Sequence, residues 1–168
     1  MNGLLFLANA DFRVQKGVKG NVMCHSIPGI SLILFYSNQC GHCKNLIPIF
    51  RNLPGSIGGC QFGMVNVGLN KETVLMSKGT IAPITYVPYI VLYVNGVPFM
   101  SYKGPHDLVE IKRFVFEVGQ SVQSKTQFVN PNVKKGIRES IPEYTIGRPL
   151  YGEDDKVCYL EFGTAYKK

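Results

Sequence analysis

The apolar run Ser31-Leu32-Ile33-Leu34-Phe35-Tyr36-Ser37 is followed, after Asn38 and Gln39, by two cysteines one helical turn apart in Cys40-Gly41-His42-Cys43. The run is rich in β-formers and does not alternate, as expected of a strand covered on both faces of a sheet. Such a strand needs a layer on each side, so the chain should fold as an α/β domain. From Cys43 onward Leu46, Ile47, Phe50 and Leu53 share one face at helical spacing, which predicts a helix. Pro48 falls inside it and should kink it, and Pro54-Gly55 should end it.

The remaining pattern is consistent with that layering. Leu4-Leu5-Phe6-Leu7 has the length of a strand. It is too short for a secretory signal core and no basic residue precedes it, so we expect an intracellular, cytoplasmic protein. Residues 60–67 read as a second buried strand and residues 71–78 as a short helix stopped by Gly79. A proline-punctuated approach through Pro83 and Pro88 leads into a strand over residues 89–94. Asn95-Gly96 is a type I′ hairpin signal, returning through residues 97–102. A last helix is expected over residues 107–118, with Leu108, Ile111, Val115 and Val118 on one face and an acidic first turn. We therefore divide the chain into a domain over residues 1–120 and a C-terminal extension over residues 121–168. The extension carries three prolines but also Tyr144, Ile146, Leu150, Tyr151, Tyr159 and Phe162. That is too apolar for a linker, so it should pack on its own domain or on an assembly partner.

Length and composition exclude several classes. At 168 residues a core forms without disulfide staples. A hydrophobic content of 45% and a mean hydropathy of +0.06 exclude a disordered chain. No apolar run has the roughly 20 residues of a membrane span. The net charge is +7, and no acid stands between Asp11 and Glu72. Arg13, Lys16, Lys19, Lys44, Arg51 and Lys71 are spread through that stretch rather than clustered. A solvated basic surface or electrostatic support for a thiolate fits better than a nucleic-acid interface, which we do not expect.

Five cysteines in irregular spacing argue for thiols kept for chemistry or burial rather than a disulfide scaffold. A Cys-x-x-Cys pair suits either zinc or dithiol redox chemistry, with two chance buried cysteines as the bland alternative. Zinc wants four ligands, and Cys24, His25, His42 and Cys60 form no second paired motif, so no metal or other cofactor is expected. The strand–turn–helix setting favours redox chemistry. At a helix start, free N–H groups and the macrodipole stabilise an anion, which makes Cys40 the candidate nucleophile. Cys43, one turn on, can attack a mixed disulfide on Cys40. Gly41 keeps the turn open, and His42 adds a donor that favours the reduced form. Cys24, Cys60 and Cys158 read as small buried hydrophobes, and His25 and His106 as surface or locally hydrogen-bonded groups.

At this point the segment from Phe35 to Lys44 resembles the active site of the thioredoxin-like superfamily, and its Gly-His pair resembles that of protein disulfide isomerases. Pro48 stands where that family kinks its active-site helix. Val87-Pro88 before a strand and Asn95-Gly96 resembles the family's cis-proline and hairpin. The resemblance covers residues 28–120. It implies a thioredoxin-like fold, a central mixed β-sheet flanked by helices, here with a C-terminal extension. It also implies thiol–disulfide oxidoreductase activity on cysteine-containing proteins. Pro88 would be cis and face the dithiol, and Val87 and its neighbours would receive an extended substrate strand. The chain is also similar to tailed thioredoxin-like proteins carried in large DNA virus particles, which makes the virion a second expected location.

Three positions depart from the family pattern. Gln39 replaces the usual Trp, Leu34 replaces a buried acid that helps deprotonate the resolving cysteine, and residues 17–28 lack the pattern of the first family helix. The alternative reading is therefore a structural or assembly protein that keeps the fold and docks through its tail. A zinc-binding module is third.

Overall fold

The computed structural model describes residues 4–17 and 20–124, together with the residue pairs 133–134, 143–144 and 158–159. Strand β1 (Leu4–Leu7) leads through a short 3-10 turn into β2 (Arg13–Lys16), β3 (Asn21–Cys24) and β4 (Ile30–Tyr36). Helix α1 (Gly41–Arg51), strand β5 (Cys60–Asn66) and helix α2 (Lys71–Ser77) follow. The second half holds β6 (Tyr86–Val87), β7 (Tyr89–Val94), β8 (Val97–Tyr102) and α3 (Leu108–Ser124). The pairs β9 (Val133–Lys134), β10 (Glu143–Tyr144) and β11 (Cys158–Tyr159) complete the described chain.

The main sheet runs β1-β5-β4-β7-β8-β10-β9. β5 is parallel to both β1 and β4, while β4–β7 and β7–β8 are antiparallel, so the sheet is mixed. β4 lies inside it, between β5 and β7, and every side chain from Ile30 to Phe35 is buried. Alternation sends Leu32 and Leu34 to one face and Ile33 and Phe35 to the other. On the first face they meet Leu46 and Phe50 of α1 and Ile111, Phe114 and Val115 of α3. On the second, Ile33 and Phe35 share a cluster with Val74 of α2, Phe12, Met23, Cys40 and Cys43. The dithiol segment thus crosses between the two layers at the carboxyl end of β4.

Helix α1 begins at Gly41, with Cys40 as its extended N-cap, so it starts two residues earlier than the apolar pattern from Cys43 suggested. It ends at Arg51, before Pro54-Gly55. Pro48 sits within it on an exposed position, where its missing N–H removes one intrahelical bond. Helix α3 runs six residues beyond the expected end at residue 118, and it crosses the boundary drawn at residue 120. Gly119 does not stop it, because a glycine inside a packed helix costs only about 1 kcal/mol relative to alanine.

A β-hairpin over residues 13–24 overlaps the stretch 17–28 that lacks the pattern of the first family helix. β2 and β3 pair antiparallel from Arg13↔Cys24 to Lys16↔Asn21. The Gly17 N–H donates to the Gly20 carbonyl at 2.9 Å, closing the turn. Val22, Met23 and Cys24 are buried, so tertiary burial of β3 replaces the missing helical period. At the β7–β8 turn Asn95 and Gly96 both have positive φ, 52° and 86°, as a type I′ hairpin requires. Gly96 also accepts from the His25 N–H at 3.0 Å, and a Cβ there would collide with the His25 carbonyl.

His25, read from sequence as a surface or locally bonded group, is buried at 2% exposure. The Ile27 N–H donates to its Nδ1 at 3.0 Å, which leaves Nε2 to carry the proton toward Ser31 Oγ at 3.2 Å. Its ring lies 4.4 Å from that of Tyr93 and 6.0 Å from that of Phe12. Burial holds its pKa down to about 4, with Arg13 lowering it further and Asp11 opposing. A depressed folded value means stability that is complete above the unfolded pKa, near 6.5, and lost as pH falls toward 4. The loss should reach roughly 3 kcal/mol. Urea midpoints measured from pH 7 to pH 4 should fall for the native chain and flatten for His25→Gln. Parallel curves would remove His25 as the acid-sensitive group.

Candidate active site

Chain geometry delivers the two cysteines differently. Cys40 is the N-cap of α1, and its carbonyl accepts from the Cys43 and Lys44 N–H groups at 3.1 and 3.2 Å. Its own N–H donates to the Ser37 carbonyl at 3.2 Å, which tightens the turn out of β4. Its sulfur lies 3.6 Å from the Val87 carbonyl oxygen, so the sequence-distant segment Val87-Pro88 stands against it. The Val87–Pro88 peptide bond is cis. Cys40 is 3% exposed and disulfide-bonded, whereas Cys43 is a fully buried free thiol.

Burial pushes the Cys43 thiol up to about 11, against a smaller lowering by the Ser37 backbone N–H. Leu34 is completely buried in the cluster that holds Leu46 and Phe50, so an apolar side chain fills this part of the core. Among the described residues no carboxylate acts on the Cys43 thiol. The Ser37 backbone contact was not foreseeable from sequence, because a main-chain donor leaves no side-chain signal.

The other shaping residues divide into exposed and packed groups. Gly41 is exposed, and a Cβ there would meet nothing within 4 Å, so the approach to the motif is open. His42 is half-buried. Gln39 is exposed, its N–H donating to Ser37 Oγ at 3.2 Å, and supplies no aromatic wall. Aromatic surface comes instead from the far side of the cis bond. Tyr86 is half-buried and meets Tyr89 edge-on at 5.3 Å, with Lys103 Nζ 5.3 Å above the Tyr86 ring. Tyr89 stacks in turn on Phe35 at 6.1 Å. Tyr89 is buried in the sheet packing, while Tyr86 is open enough to hold a cation.

Cys24 ends β3 and Cys60 begins β5. Cys24 is buried, its pKa raised by burial and partly lowered by Arg13. Cys60, at the start of β5, is half-buried and pushed up to about 12 by desolvation. The Cys158 side chain lies outside the described residues. Among the described residues no group of three or more His, Cys, Asp or Glu is arranged to hold a metal ion. No helix among them is long and apolar enough to cross a membrane.

A buried central strand ending in a helix-capping Cys-x-x-Cys, with a cis X-Pro segment against the first sulfur, defines a thioredoxin-type domain. The thioredoxin family model matches residues 21–117. The protein belongs to the thioredoxin family. It is 35% identical to the uncharacterized protein 196R of Invertebrate iridescent virus 6, over 99% of this chain and 95% of that one. It is 34% identical to the uncharacterized protein 020R of Invertebrate iridescent virus 3, over 98% and 96% of the two chains. Among solved structures, an N21Q mutant thioredoxin from Halobacterium salinarum superposes with a TM-score of 0.51 at 18% identity, covering 77% of this chain and 96% of that one. The first two thioredoxin domains of Naumovozyma dairenensis Eps1p give 0.50 at 23% identity, covering 56% and 36%. These two likenesses concern the fold.

Proposed function

We propose that the protein is a thiol–disulfide oxidoreductase acting on protein disulfides, with Cys40 as nucleophile and Cys43 as resolving thiol. The Cys40 thiolate attacks one sulfur of a substrate disulfide, forming a mixed disulfide and releasing a substrate thiolate. Cys43 then attacks Cys40, forming Cys40–Cys43 and releasing the second substrate thiolate, so the substrate gains the two electrons the pair loses. Val87 and Pro88 offer backbone to an extended substrate segment beside the sulfur. The observation that carries this reading is the Cys40 sulfur itself, at the start of an eleven-residue helix and already engaged in a disulfide, with a free thiol one turn on. No cofactor is required by these steps. Insulin-disulfide reduction with dithiothreitol as the electron source is the test. The chain should accelerate precipitation of the insulin B chain, and a rate equal to the uncatalysed one would reject the reading.

A second reading is an assembly protein that docks through residues 121–168, of which β10 and β11 pair with β8 and β6 of its own chain. With relatives from iridescent viruses, its proposed setting is the infected cell or the particle. Truncation after Ser124 separates the two. Retained melting temperature, oligomeric state and partners would leave the tail passive and remove the assembly reading.

A further inference from the structure

Three described thiols, Cys24, Cys43 and Cys60, are free, while Cys40 is disulfide-bonded. The sequence contains five cysteines, and the remaining one is Cys158. Strand β11 carries it to the site: β11 pairs antiparallel with β6, with Cys158 opposite Val87 and Tyr159 opposite Tyr86. Directly opposed residues in an antiparallel pair have Cα atoms about 4.5–5.5 Å apart. The Val87 carbonyl is the group that lies 3.6 Å from the Cys40 sulfur. Cys158 is therefore registered on the residue whose carbonyl touches the sulfur of the nucleophile.

We infer that Cys158 is a third redox cysteine, which closes on Cys40 as an intrachain mixed disulfide while β11 occupies the backbone edge of β6 that would otherwise receive a substrate strand. The inference rests on Cys40 being the exchange nucleophile proposed above. The tail then behaves as a tethered substrate: a cysteine in an extended segment, paired beside the cis bond. Exchange among the three sulfurs needs no outside oxidant. The Cys43 thiolate attacks Cys40, the Cys40–Cys43 bond forms as Cys40–Cys158 breaks, and the leaving Cys158 thiolate takes up a proton equivalent to the one Cys43 released. The reverse step restores the tail bond. A buried Cys43 that ionises reluctantly favours persistence of the tail bond at neutral pH.

The competition is set by tethering. Cys158 competes with external thiols for the sulfur of a disulfide-bonded Cys40: at an effective concentration of about 1 mM against about 0.1 mM external thiol it holds roughly nine-tenths of Cys40 in the tail bond. Cys40 in that bond has no thiolate to attack an external disulfide, so capping should slow insulin reduction by about tenfold. The test uses the full chain, equilibrated in a glutathione buffer, acid-quenched, alkylated and digested with trypsin. Cleavage after Lys19, Lys44, Lys156 and Lys167 yields peptides 20–44 and 157–167. These should be disulfide-linked in the native chain and in Cys43→Ser, with fragmentation placing the bond at Cys40. Absence of that link in both chains would overturn the proposal, even if insulin reduction proceeds. Cys158→Ser should reduce insulin about tenfold faster than the native chain, and equal rates would overturn the capping role. A link present in a chain that is inactive both with and without Cys158 would reject the oxidoreductase reading and leave the bond assignment standing.

Discussion

Cys40→Ser should bring insulin-disulfide reduction down to the uncatalysed rate, while Cys43→Ser, in a Cys158→Ser background, should keep the first step and accumulate mixed disulfides on Cys40. The asymmetry follows from position on α1. Cys40 caps the helix, where the first-turn N–H groups lack intrahelical acceptors and the macrodipole is positive. A thiolate there is stabilised by a field that serine cannot exploit, since a hydroxyl does not ionise at neutral pH. Cys43 lies inside the helix and inside the core, where charge is disfavoured. In the reduced protein, iodoacetamide should consume Cys40 well before Cys43 at pH 7. Equal alkylation rates for the two thiols would contradict the assignment of roles.

The second large effect is on pH. With its thiol pushed up to about 11, Cys43 has a thiolate fraction that rises about tenfold for each pH unit below that value. Release of glutathione from a mixed disulfide on Cys40 should accordingly accelerate about a hundredfold between pH 7 and pH 9. A Cys158→Ser background keeps the tail thiol from competing. A flat profile over that interval would mean that Cys43 does not perform the resolving step. Leu34→Glu tests the cause, because the family resemblance implies a carboxylate at this position that takes up the proton of the resolving cysteine. Release should then quicken at pH 7 and its slope with pH should shrink. Should the buried charge prevent folding, the pH profile of the Leu34 chain still decides whether Cys43 resolves.

Much of this architecture is legible along the chain. The unbroken apolar run that becomes β4 demands cover on both faces, and the leucine and phenylalanine spacing after Cys43 supplies one covering helix. Asn95-Gly96 encodes its hairpin because few residues accept two successive positive φ angles. These are local rules, decided by neighbours in sequence. They also place Cys40 at a helix start, the physical basis for assigning it as nucleophile.

What lies opposite each residue was decided by the tertiary structure. The stretch from Arg13 to Cys24 has no helical period, and only burial of Val22, Met23 and Cys24 against the second face of the sheet makes it a hairpin. His25 carries no sequence sign of burial; the ring is neutral because Tyr93, Phe12 and Ser31 enclose it. The position of Val87 against the Cys40 sulfur joins residues 47 apart in sequence, and the registration of Cys158 on Val87 joins residues 71 apart. Strand pairing across such distances is selected by the edge a folded sheet leaves open. Cys40 and Cys43 are thus legible in sequence as a thiol pair at a helix start, whereas the segment that lies opposite Val87 was selected by the pairing of β11 with β6.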